Sequence, residues 1–103
     1  MNSYGLSKEV VAKLHQIFKT HPQIIQVKLY GSRAKGNYQE YSDIDLAVYG
    51  DGKLDRFIIA DILTQINDSN IPYLIDIQDY HNIKNKNLIE HIDRVGIIIY
   101  QQE

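Results

Sequence analysis

The chain turns on one stretch: Ile24-Ile25-Gln26-Val27-Lys28-Leu29-Tyr30, then Gly31-Ser32-Arg33-Ala34-Lys35-Gly36, then, after a polar run, Ser42-Asp43-Ile44-Asp45-Leu46-Ala47-Val48-Tyr49. The β-branched density from Ile24 to Tyr30 predicts a strand, which Gly31-Ser32 stops abruptly. Arg33 to Ser42 is polar and broken by Gly36-Asn37, so it reads as a short turn of helix followed by a loop. Asp43 to Tyr49 predicts a second strand, and Gly50-Asp51-Gly52 turns the chain. Two strands therefore bracket a polar loop that contains glycine.

Working outward, Val10, Val11, Leu14, Ile17 and Phe18 follow helical spacing and predict a helix from about Ser7 to Lys19. Ser7 is its expected cap, Leu6 a staple against Val11, and His21-Pro22 its stop. Downstream, Leu54, Ile58, Ile62 and Ile66 predict a second long helix, which Asp68-Ser69-Asn70 ends. Tyr73 to Gln78 reads as a third strand and Asp79 to Lys84 as a short polar segment. Asn87 to Arg94 reads as a helix with Leu88, Ile89 and Ile92 facing inward, ended by Gly96. Ile97 to Tyr100 is the fourth strand. This interleaving predicts a mixed α/β (α+β) fold, a small mixed β-sheet packed against helices in a single domain over residues 1–103.

Composition narrows the function. The chain has 103 residues, with 11 Lys and Arg against 13 Asp and Glu, a formal charge of -2 that disfavours an autonomous nucleic-acid binder. There is no cysteine, which removes disulfides, thiolate nucleophiles and Cys-ligated zinc. No apolar run approaches the roughly 18 residues of a membrane span, and Met1 to Gly5 lack a signal-peptide pattern. These features fit a cytoplasmic chain. The four histidines, His15, His21, His81 and His91, form no metal motif and are expected to pack or hydrogen-bond. Tyr80 and Tyr100 are expected at the rim of the core or at an interface. Homo- and hetero-oligomers both remain compatible with the apolar content.

Chemistry concentrates in the opening stretch. Asp43 and Asp45 lie two apart on a predicted strand, which puts both carboxylates on one face about 6.6 Å apart along the chain. From there their side chains can converge on a pair of divalent ions about 3.5–4 Å apart. Asp76, between Ile75 and Ile77 on the third predicted strand, is a third acid whose burial would call for an ionic partner. Asp79, three residues on, is expected to face the other way. Gly31 permits a tight turn and close approach of a phosphate, and Ser32 with its neighbouring amides can donate to phosphate oxygens. Hard oxygen ligands suit Mg2+, with substrate phosphates completing its shell. Each feature also has a plainer reading, since Gly-Ser is often only a turn and Asp43 and Asp45 could line the wet side of an edge strand. Their combination favours a site.

Gly31-Ser32, ten intervening residues and Asp43-Ile44-Asp45, with Arg33, Ala34, Gly36, Ser42 and Leu46 as flanks and Asp76 as third acid, resemble the minimal nucleotidyltransferases of the DNA polymerase beta-like superfamily. Ile75 to Asp79 and Arg94 to Tyr100 extend the resemblance over most of the chain. It implies Mg2+-dependent transfer of a nucleoside monophosphate to an acceptor hydroxyl, with ATP as donor. Asp43, Asp45 and Asp76 would be catalytic and hold two metal ions, with Asp76 nearest the acceptor. Gly31, Ser32, Arg33 and Lys35 would bind the triphosphate, Arg33 ahead of Lys35. Small members of this family are paired with helical HEPN-domain toxins, and some act as antitoxins by adding AMP to a tyrosine of that partner. A separately encoded HEPN partner is therefore expected. The alternatives are transfer to a small hydroxylated molecule such as an aminoglycoside, and an antitoxin that neutralises its partner by binding alone.

Overall fold

The computed structural model describes residues 4–103; Met1 to Ser3, part of the segment read for a signal peptide, lie outside them. Helix α1, Lys8–Lys19, starts where Ser7 Oγ accepts the Val10 amide at 3.2 Å, and buries Val10, Leu14, Ile17 and Phe18. Strand β1, Gln26–Tyr30, leads through Gly31 into a four-residue helix α2, Ser32–Lys35. Strand β2, Ile44–Tyr49, is followed by helix α3, Arg56–Asp68, capped by Asp55. Strand β3, Ile75–Asp79, runs into a 3-10 turn at Tyr80–Asn82, then helix α4, Lys86–Val95, and strand β4, Ile97–Gln101. The expected order of elements is the observed one, with β1, β2 and β3 starting one or two residues later than predicted and β4 starting at Ile97 as predicted.

The sheet has the order β3-β2-β1-β4. Strand β1 is antiparallel to both β2 and β4, and β2 is parallel to β3 through the crossover helix α3. Because side chains alternate along a strand, Val27 and Leu29 of β1 and Ile44, Leu46 and Val48 of β2 point to one face. There they meet Leu14, Phe18 and Ile62 of α1 and α3 in the main core. The opposite face carries Tyr30 and Ala47, on which Ile92 of α4 packs as a second, smaller cluster. Leu88 and Val95 join Ile92 there. Ile89, expected to face inward, is absent from that cluster, because the inward stripe runs through 88, 91, 92 and 95. Among the described residues, no helix is long and apolar enough to cross a membrane.

Candidate functional site

At the end of the sheet where β1 finishes and β2 and β3 begin, three side chains stand in one row. Tyr30 pairs in register with Asp45, and Asp45 with Asp76. Registered neighbours on adjacent strands, about 4.8 Å apart, share a face. That face is the α4 side, and α4 covers only part of it. Tyr30 is buried, Asp45 half-buried and Asp76 exposed, because β3 is an edge strand. Asp76 therefore does not bear the burial cost expected of an acid between two isoleucines. Asp43 lies just before β2 and is exposed, at the mouth of the row rather than within the strand as expected.

The row is electrostatically crowded. The Asp45 carboxyl is held above its ordinary range by burial first, then by Asp76 and Asp43, while His91 acts in the opposite sense. Burial, then Asp76 and Asp45, push the Tyr30 hydroxyl well up, so it keeps its proton. Carboxylates gathered this way favour a cation among them. Among the described residues, no three His, Asp or Glu groups form a ready-made metal cage. Mg2+ needs none, since it is commonly bound by one or two carboxylates with waters and substrate phosphates. The donor set thus fits magnesium carried in with a nucleotide.

Gly31 sits against this row. Its φ of 79° and ψ of -155° suit glycine, and a Cβ added there would overlap Asp45 Oδ2. Its carbonyl accepts the Lys35 amide at 3.1 Å, and its own N–H donates to His91 Nε2 at 3.2 Å. Ser32 opens α2, whose first-turn amides have no carbonyl partner within the helix. Gly36, at φ 87°, ends that helix in the left-handed conformation, and Lys35 is exposed.

Arg33 is the correction. It was expected to reach the triphosphate, yet it is 1% exposed. Nε and Nη2 donate to the Ser42 carbonyl at 3.1 and 2.9 Å, Nη2 to that of Glu40 at 3.3 Å, and Nη1 to that of Tyr4 at 2.9 Å. The guanidinium also lies over the rings of Tyr38 and Tyr73, 5.2 and 4.7 Å from their centroids. The planar fork is spent on the Tyr4 carbonyl and on carbonyls of the loop that delivers Ser42 and Asp43, so it ties that loop down and does not reach a phosphate. Asp79 faces away from the row, as expected, and accepts the Leu54 amide at 2.9 Å. His91 and Tyr30 are the site residues that motif reading missed. Helical spacing from Leu88 was the available signal for His91, and the position directly before Gly31 that for Tyr30.

Residues 12–103 match the family model described as Polymerase beta, Nucleotidyltransferase. The chain belongs to this family. A 75-residue stretch is 33% identical to the probable protein adenylyltransferase MntA of Haemophilus influenzae, covering 72% of this chain and 64% of that protein. The match thus spans less than two thirds of that relative's length. A toxin-antitoxin crystal structure with AMP-PNP shares the fold at a TM-score of 0.72 and 19% identity, covering 90% of this chain and 74% of that one. A tri-AMPylated Shewanella oneidensis HEPN toxin in complex with an MNT antitoxin does so at 0.62 and 18%, over 88% and 71%. A putative nucleotidyltransferase from Sulfolobus solfataricus follows at 0.56 and 18%, over 92% and 79%. In this polymerase beta-type nucleotidyltransferase chain, the mixed sheet expected from the interleaving of helices and strands is the one observed.

Proposed function

We propose that this chain is an Mg2+-dependent adenylyltransferase that moves AMP from ATP to a tyrosine of a separately encoded HEPN toxin, and so acts as an antitoxin. The observation that carries the reading is the row Tyr30, Asp45 and Asp76 beside Gly31, where crowded carboxylates meet a glycine turn. Family membership supports the reaction class, and likeness to the Haemophilus influenzae adenylyltransferase supports the acceptor class. Residues 1–103 act in this reading as one minimal nucleotidyltransferase domain, at work in the cytoplasm where ATP and Mg2+ are supplied.

Asp43, Asp45 and Asp76 would hold Mg2+, two ions in this reading, which stabilises charge developing on the phosphate oxygens. The Gly31-Ser32 turn takes the β and γ phosphates, with Lys35 a flexible positive charge nearby. Asp76, the most accessible acid on the strands of the row, faces the acceptor and orients its hydroxyl or takes its proton. The acceptor oxygen bonds to the α-phosphorus as the bond from that phosphorus to the bridging oxygen breaks, and pyrophosphate leaves. Asp45, set between Tyr30 and Asp76, would hold Mg2+ where the ion's charge offsets the repulsion between the carboxylate and the α-phosphate.

Intact-mass analysis of proteins co-purifying with the chain, before and after ATP and Mg2+, tests this. A partner that gains an AMP-sized mass with the wild type and not with Asp43→Asn or Asp45→Asn is the expected result. Stable association without added mass would favour inhibition by binding, and nucleotide on a small molecule would favour the aminoglycoside-type reaction.

A further inference from the structure

We infer that His91 is a positioning residue for the nucleotide, acting through the peptide of Gly31. The inference rests on the adenylyltransferase reading and deepens it. Gly31 is bounded on three sides: its carbonyl accepts the Lys35 amide, Asp45 Oδ2 occupies the space a Cβ would need, and its N–H donates to His91 Nε2 at 3.2 Å. The first two contacts come from the turn and the acid row themselves. The third comes from α4, sixty positions along the chain.

The histidine is not needed to seat that helix. Leu88, Ile92 and Val95 already pack it against the cluster of Tyr30 and Ala47, with Ile92 fully buried. Following the same stripe, His91 brings its ring edge-on to Tyr30, 6.0 Å between centroids at 80°. Nε2 is the acceptor of this bond, which assigns Nδ1 as the ring's donor nitrogen. Glycine tolerates a wider range of backbone angles than other residues, and among the described residues its N–H has no strand partner, because the β1 to β4 pairing ends at Leu29 and Ile97. The N–H held by His91 belongs to the Tyr30–Gly31 peptide and the carbonyl held by Lys35 to the Gly31–Ser32 peptide, so the two bonds together set the backbone angles of Gly31 and with them the direction in which Ser32 and the first amides of α2 meet the triphosphate. Loss of the acceptor should weaken nucleotide binding while leaving the acids in place.

The test compares wild type, His91→Leu and His91→Gln for calorimetric binding of a non-hydrolysable ATP analogue with Mg2+, alongside thermal melts of each free protein. Leucine keeps the apolar contacts of the helix face but accepts no hydrogen bond, whereas the glutamine oxygen reaches roughly where Nε2 sits. The expected result is a Kd raised about fivefold in the leucine variant, the scale of one ordinary hydrogen bond, and recovered to within about twofold in the glutamine variant. A leucine variant that binds as tightly as wild type overturns the role of His91, as does a folded glutamine variant that binds no better than leucine. Wild type that binds no nucleotide overturns the adenylyltransferase reading with it, so the two failures are distinguishable.

Discussion

The two faces of one sheet do different work with alternate residues of the same strands. On the α1 and α3 side, Val27, Leu29, Ile44, Leu46 and Val48 are fully buried and closed over by helices. On the α4 side, Tyr30, Asp45 and Asp76 form a polar row that α4 covers only in part. The first face stores stability, and the second holds like charges together at a cost to it. Repulsion inside a folded protein persists where a ligand is to neutralise it, so the costly face is the one to test for function.

Asp45→Asn should separate the faces most sharply. Transfer to the acceptor protein should fall about 100- to 1,000-fold, the scale of removing one essential electrostatic contact, while the metal-free Tm stays level or rises. The sign follows from Asp45 being held above its ordinary range. The folded state binds its proton more tightly than the unfolded state, so ionised Asp45 opposes folding at neutral pH. The stability advantage of the variant should therefore close as pH falls through the range where Asp45 takes up its proton. Next in size, Leu46→Ala, one position along the strand, should cost about 2–5 kcal/mol of stability in a urea melt. Binding of Mg2+ and nucleotide by its folded fraction should change little. Arg33→Met should lower stability by about 2–3 kcal/mol through carbonyls left without their donor. A large loss of nucleotide affinity in that variant, with stability unchanged, would restore the phosphate contact that its burial argues against.

Much of this was legible in the chain itself. The periodicity of residues 8–19 and 56–68 and the β-branched runs around Val27 and Leu46 declared their elements, since apolar spacing is a local property. The spacing of Asp43 and Asp45 led to an expected shared strand face, whereas β2 begins at Ile44 and leaves Asp43 just before it. The neighbourhood of Arg33 was not legible: a basic residue beside a glycine turn looks like a phosphate contact until the loop of 37–42 folds back and presents its carbonyls. Nor was the meeting of His91 with Gly31, which depends on how α4 lies over the sheet. Both are long-range outcomes of packing. The exposure of Asp76 follows from strand order, which fixes β3 at an edge and which residue spacing alone does not reveal.

The most direct measurement is a pair of thermal melts, wild type and Asp45→Asn, each with and without Mg2+ and a non-hydrolysable ATP analogue. If the α4-side row holds the metal and nucleotide, the ligands will raise the Tm of the wild type and leave that of the variant nearly unmoved, although the variant starts at least as stable. An equal rise in both proteins would contradict the account, because the nucleotide would then bind without the acid on which the site is built.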